Sequence, residues 1–206
     1  MAGHSAAKLM WEERYRIDDY LYGIEPNEFL RDNVDRIAMG RVMCLAEGEG
    51  RNATFLARTG RMVSSVELSE TGVEKTLRLA AQHDVAVNAI VADLATYDLG
   101  QEQWEGIISI FAHMPPKVRT DLHRRIIAAL KPGGILLLEA YAPNQIGRNT
   151  GGPTMVEMTM ALSDLRDELA PLIFLHATET EREVFEGSAH SGLGAVVQVI
   201  AQKSDN

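Results

Sequence analysis

The stretch that decides the fold is CLAEGEGRN, Cys44–Asn52. Just upstream, RVMCLA (Arg41–Ala46) is a short apolar run that leads into glycine, the pattern of a buried strand. Just downstream, Asn52–Arg58 reads as a helix. Strand, glycine turn and helix in succession mark a place where a ligand meets backbone, because Gly48 and Gly50 allow close approach. Glu47 and Glu49 stand among those glycines, and their charge limits which ligand can come near.

Working outward, the same alternation continues. RMVSSVEL (61–68) reads as a second strand, Glu70–His83 as a helix, VAVNAIVAD (85–93) as a third strand and WEGIISIF (104–111) as a fourth. Pro115–Leu130 carries Val118, Leu122, Ile126 and Leu130 at helical spacing, and KPGG (131–134) is read as its stop. ILLLEAY (135–141) is apolar at its start, as a central strand should be. Strand and helix alternating from 41 to 141 predict a parallel sheet with helices on both faces. Beyond it the pattern changes to a Gly/Asn/Pro-rich loop (144–156), a helix near 159–168 and two strands near 171–181 and 195–202. With no helical crossover between them, those strands predict an antiparallel pair on the sheet edge. Ahead of the core, residues 1–10 read as a loose lead-in. Trp11–Leu30 is rich in aromatics, and Pro26 is placed in the first turn of a helix running toward Arg36.

The chain of 206 residues suits one domain of α/β class. We divide it into an aromatic lid region (11–38), a cofactor-binding core (41–141) and an acceptor-side loop, helix and hairpin (142–202). A net charge of −9 disfavours nucleic acid as a partner, since acidic surface repels a phosphate backbone. The single cysteine, Cys44, excludes an internal disulfide and a cysteine metal cluster, which fits a cytoplasmic setting. No apolar run has the length of a signal peptide or a membrane span, and no residue cluster suggests a metal.

Ligands of open parallel sheets bind at the carboxyl ends of the strands. There, two carboxylates beside a pyrophosphate cost repulsion, whereas a ligand with an ammonium and a sulfonium and no phosphate does not suffer it. S-adenosyl-L-methionine is such a ligand. Glu67 ends the second strand, 19 positions after Gly48, where a carboxylate accepts hydrogen bonds from ribose hydroxyls. Asp93 ends the third strand and is a candidate for the adenine amino group.

These residues resemble the class I S-adenosylmethionine-dependent methyltransferases: VMCLAEGEGRN their first motif, VELS the acidic strand end, VADL the third and LKPGGILLLEAY the late motif. WEERY, YGIEPNEFL, EGEGRNATFLA, SIFAHMP and LLLEAYAPNQ are similar to the tellurite-resistance and thiopurine type of small-molecule methyltransferase. The resemblance spans roughly residues 11–200. It implies a Rossmann-like three-layer α-β-α sandwich whose seven-stranded sheet ends in a hairpin. It places Glu47, Gly48 and Gly50 at the methionine moiety, Glu67 with Leu68 at the ribose, Asp93 with Leu94 at the adenine, and Phe111 near the sulfonium. Cys44 and Ala46 stand where many relatives have Asp and Gly, which leaves Glu47 as the carboxylate for the ammonium.

For the chemistry we single out His113 after the fourth strand, Tyr141 at the end of the fifth, and Arg182 and His190 beside the final hairpin, with Arg148 in the glycine-rich loop as a further cation for an anionic acceptor. Each has an ordinary alternative as loop or core residue. The expected reaction is methyl transfer to a small-molecule acceptor such as tellurite, selenite or a thiol. The rivals are a non-catalytic S-adenosylmethionine-binding module and an NAD(P)-dependent oxidoreductase, although the latter lacks a Y-x-x-x-K pair.

Overall fold

The computed structural model describes residues 2–205, with side chains from residue 6 onward. Seven strands form one sheet in the order β3-β2-β1-β4-β5-β7-β6. They are β1 (Arg41–Leu45), β2 (Met62–Glu67), β3 (Val87–Val91), β4 (Trp104–Ile110), β5 (Leu130–Tyr141), β6 (Leu172–Glu186) and β7 (His190–Lys203). The first five are parallel to one another, and β7 runs antiparallel to both β5 and β6. The helices are α1 (Ala2–Tyr15), α2 (Glu28–Asn33), α3 (Arg51–Arg58), α4 (Glu70–Gln82), α5 (Pro116–Ala129) and α6 (Leu162–Glu168). This is the mostly parallel, helix-flanked sheet the alternation predicts.

Strand periodicity explains why the sheet is buried on both sides. Along β1, Met43 and Leu45 join the core beneath α5 and α6, whereas Val42 and Cys44 join the core beneath α2, α3 and α4. Along β5, Leu136, Leu138 and Ala140 face the first core and Ile135 and Leu137 the second. Cys44 is therefore an apolar filler, and burial pushes its thiol well above its usual pKa.

Four boundaries differ from the sequence reading. Residues 2–10 are not a loose lead-in but belong to α1, which stands on the start of α4: Glu12 accepts from the amides of Glu70 (2.6 Å) and Thr71 (3.2 Å), filling the N-terminal donors of that helix. Pro26 lies just outside α2, whose N-cap is Asn27, and a short 3-10 turn (Val34–Arg36) completes the segment toward Arg36. KPGG does not separate α5 from β5; Leu130 already pairs with Trp104, and the register shifts before Ile135 meets Gly106. The final hairpin is longer than read, since β6 and β7 pair from Leu172↔Lys203 to Glu186↔His190. Among the described residues no helix is long and apolar enough to cross a membrane.

Candidate active site

The turn after β1 is built by backbone conformations that favour glycine. Gly50 caps α3 at φ +96°, and a Cβ there would lie 2.6 Å from the Thr76 Cα. Glycine has no side chain to cap a helix, so Glu47 supplies one: its Oε1 accepts from the amides of Asn52 and Ala53, both at 2.8 Å. Glu49 forms a buried ion pair with Lys75 at 2.7 Å. Lys75 also donates to the carbonyls of Ile17 (2.6 Å) and Asp19 (2.8 Å), so this pair fastens the N-terminal segment to the turn. Glu49, paired with Lys75, does not stand open to a cationic ligand, which corrects that half of the expectation; Glu47 receives both amides on one oxygen. One carboxylate serves a helix end and the other is already neutralised. Burial raises the Glu47 pKa to about 7, against the pull of the Ala53 amide.

Glu67 keeps the position expected of it. At the carboxyl end of β2, it accepts from the amides of Gly48 (2.9 Å, Oε2) and Ser69 (3.0 Å, Oε1). An ionised carboxylate offers about four lone-pair sites, so two amides leave capacity for two hydroxyls. Burial raises its pKa, opposed by those same amides. Leu68 is half-buried between Glu67 and the α4 cap Ser69. Asp93 accepts from Ala95 N at 2.8 Å, and the Leu94 side chain packs into the core beneath α5. Thus Gly48, Gly50, Glu67 and Asp93 share the carboxyl edge of β1, β2 and β3.

A chain of rings covers this edge. Trp11 stacks on Tyr15 (5.4 Å between centroids) and leans on Tyr22 (6.5 Å); Tyr22 meets His190 (4.6 Å). His190 in turn meets Phe111 (4.8 Å) and Tyr141 (5.3 Å), and Phe111 stacks on Tyr141 at 4.6 Å. Tyr15 closes the other end: a Cβ on Gly48 would come within 2.9 Å of its hydroxyl. Phe111 sits at φ +51°, a strained value for an aromatic residue, at the point where β4 leaves the sheet.

The four residues expected to do chemistry lie close together, but His113 is occupied by backbone. His113 uses both ring nitrogens on backbone: Nδ1 lies 2.8 Å from the Met158 carbonyl, and Nε2 accepts from Tyr141 N at 3.3 Å. Burial lowers its pKa to about 4. It ties loops together and has no free nitrogen for a proton, which corrects the expectation of a base there. Tyr141, Arg182 and His190 gather around Glu186. Tyr141 is fully buried, and its hydroxyl has no hydrogen-bond partner; burial, reinforced by Glu186, raises its pKa.

Arg182 is not a free cation for an anionic acceptor. It pairs with Glu139 and, at 3.2 Å, with Glu186. Arg148 likewise pairs with Glu181. Around Arg182 runs a network the sequence reading missed. Asn27 Nδ2 donates to Glu139 (3.0 Å) and Glu186 (2.8 Å), Arg51 donates to Glu186 at 2.6 Å, and Gln198 donates to Glu139 at 2.5 Å. Two guanidinium groups thus balance two buried carboxylates. The signal that was present is LLLEAY: a glutamate in a strand that is otherwise apolar and central demands buried donors. Among the described residues no group of three or more His, Cys, Asp or Glu is placed to hold a metal.

Comparison with known proteins agrees with this architecture. Residues 42–134 match the family described as a methyltransferase domain. No curated protein sequence matches the chain. Among solved structures, one described by the conversion of a disulfide bond into a thioacetal group during echinomycin biosynthesis is similar with TM-score 0.77 and 16% identity, over 98% of this chain and 92% of that one. TehB from Haemophilus influenzae is similar with TM-score 0.72 and 17% identity, over 96% and 67%. A methyltransferase dependent on S-adenosylmethionine from Mesorhizobium loti gives 0.64 and 17%, over 84% and 95%. At such identities the structures speak for the fold, which this chain shares with methyltransferases dependent on S-adenosylmethionine; the match to a methyltransferase domain covers residues 42–134.

Proposed function

We propose that this enzyme methylates a small molecule through a soft nucleophilic atom, with sulfur as the first choice and selenite or tellurite as relatives of it. The observation that carries this reading is the cluster of rings at the ends of β4 and β5. Phe111, Tyr141, His190 and Tyr22 pack against one another there, with Tyr22 brought in by the N-terminal segment. A corner walled by rings suits a compact, polarisable acceptor better than a macromolecular chain. The neighbour described by conversion of a disulfide into a thioacetal also acts on sulfur.

In this reading Glu67, with Leu68 beside it, holds the ribose through the lone pairs its two amides leave. Asp93 and Leu94 flank the adenine. The Gly48 and Gly50 backbone lies along the methionine moiety, and Phe111 stands near the sulfonium. Glu47 acts indirectly, by fixing the first turn of α3. The cofactor supplies an activated methyl group on a positive sulfur. The residues of this chain align the acceptor with it and exclude water, and residues 11–38 act as the lid.

The test is S-adenosylhomocysteine release by the purified protein with S-adenosylmethionine and a panel of thiols, selenite, tellurite and catechols. Turnover with a sulfur or chalcogen acceptor is expected. Turnover confined to catechols would overturn the soft-atom reading. In the same assay Glu67→Ala should weaken S-adenosylhomocysteine binding by roughly 10–100-fold, the loss expected for hydrogen bonds to a charged group. Unchanged affinity would remove Glu67 from the ribose.

A further inference from the structure

Two histidines flank Tyr141, and only one of them can take a proton. His113 spends both nitrogens on backbone. His190 is buried, ringed by Tyr22, Phe111 and Tyr141, and its Nδ1 has no hydrogen-bond partner; Glu186 Oε2 lies 3.7 Å from it. Glu186 is itself fixed, by Asn27, Arg51 and Arg182. A carboxylate facing Nδ1 favours the tautomer protonated there and leaves Nε2 as the basic atom. Such contacts are often long before the reactants arrive and then tighten. Beside them the buried Tyr141 hydroxyl lacks a partner, and a Cβ on Gly151 would meet both that hydroxyl (2.9 Å) and His190 Cδ2 (2.6 Å), so the two side chains lie side by side against the Gly151 backbone.

We propose that His190 is the catalytic base, taking the proton from a protic acceptor, a thiol or an acidic hydroxyl, that hydrogen-bonds to Tyr141, with Glu186 as its positioning residue. The inference rests on the small-acceptor reading and narrows it. The acceptor's S–H or O–H bond breaks, and its proton goes to His190 Nε2. The acceptor lone pair forms the new bond to the methyl carbon, and the carbon–sulfonium bond breaks with its electron pair staying on sulfur as S-adenosylhomocysteine. Oxyanions such as selenite attack through the chalcogen lone pair, which bears no proton, and make no use of this base. The groups facing His190 are Glu186 and Arg182 from β6, Arg51 from α3, Tyr141 from β5, His113 from the loop after β4, and Tyr22 from the N-terminal segment. Burial lowers the His190 pKa and outweighs the opposing pull of Glu186, so the imidazole is neutral and ready to accept at neutral pH.

The experiment compares the wild type with His190→Gln on two thiols at neutral pH: benzyl mercaptan, which is protonated there, and 4-nitrothiophenol, which is ionised. The variant should slow benzyl mercaptan by roughly 10²–10⁴-fold, the usual worth of a general base, and leave 4-nitrothiophenol near the wild-type rate. Equal loss on both thiols would make His190 a wall of the site and overturn the base. No loss on either would overturn it as well. Silence of the wild type on both, with S-adenosylhomocysteine bound, would overturn the soft-acceptor reading and the base with it. Glu186→Gln should move the acid limb of the kcat/KM profile for benzyl mercaptan to lower pH, because the lost charge was holding the imidazole up. An unmoved limb would strip Glu186 of its role. Should that variant fail to fold, the comparison of the two thiols with His190→Gln still decides.

Discussion

Glu47 shows how one side chain can shape a glycine turn by capping the helix that follows it. Gly50 adopts a conformation that favours glycine and thereby forfeits the N-cap side chain, so the carboxyl three positions earlier caps α3. The arrangement confines an acid in the core, where burial lifts its pKa to about 7 from the ordinary 4.5. The folded state therefore holds this proton more tightly than the unfolded chain does. The stabilisation that results is complete below the unfolded value and disappears as pH rises through about 7. His113 drifts the other way. Its pKa is depressed to about 4, so its contribution is present above 6.5 and is lost as pH falls through the folded value. Comparing the wild type with Glu47→Gln cancels the histidine, which both chains carry. The advantage of the wild type over Glu47→Gln should shrink by about 3 kcal/mol between the two ends of the Glu47 window, a shift of roughly two and a half units at 1.36 kcal/mol each. Urea unfolding at each end measures it, and a pH-independent difference would mean that Glu47 titrates in the fold as it does in the unfolded chain.

At the scale of elements, Asn27 holds the most joints. Its Oδ1 caps α2 at Leu30 N (3.0 Å), its amide nitrogen donates to Asn52 of α3 (2.9 Å), and its Nδ2 reaches Glu139 of β5 and Glu186 of β6. Asn27→Ala removes a cap and leaves two buried carboxylates each short of a donor, at an expected cost of about 2–4 kcal/mol in urea unfolding. A loss below about 1 kcal/mol, that of a cap alone, would mean Arg182 and Gln198 absorb the change. The limits of local reading show here. β1 to β5 and the helices between them were legible because each buries a periodic apolar face, a property of neighbouring residues. α1 was not, because MAGHSAAKLM carries no apolar stripe; its helix is held by contacts such as Glu12 with the start of α4 and Lys8 with Glu70. The middle of β6, TETER from Thr178 to Arg182, is polar throughout because the strand lies on the sheet edge, and its extent is set by pairing with β7. The charge-balancing network was invisible for the same reason: Asn27 is 112 positions from Glu139 and 159 from Glu186.

For the whole molecule the question is how the two ends of the chain close one site. The N-terminal segment is fastened at α4 by Glu12 and by Lys75, and at the hairpin by the Leu21 carbonyl, which accepts from Ser188 N (3.0 Å) and Ala189 N (3.4 Å). Tyr15, Trp11 and Tyr22 hang between those fastenings, over Gly48 at one end and against His190 at the other. The lid role proposed for this segment requires it to release for the cofactor to enter and to close for water to be excluded. The hairpin fastening depends on Gly187, at φ +66°, where a Cβ would sit 2.2 Å from the Leu21 carbonyl oxygen. Gly187→Ala should therefore push the segment off the hairpin while leaving the sheet intact. Global stability should fall by only about 1 kcal/mol, the strain of a left-handed alanine. Amide exchange should quicken across residues 11–23 and stay unchanged in β4 and β5, and S-adenosylhomocysteine should dissociate faster. Hydrogen exchange read by mass spectrometry separates the alternatives. Quickening throughout the sheet would make residues 11–23 part of the cooperative core, and a lid that cannot open alone would require cofactor to enter from the acceptor side.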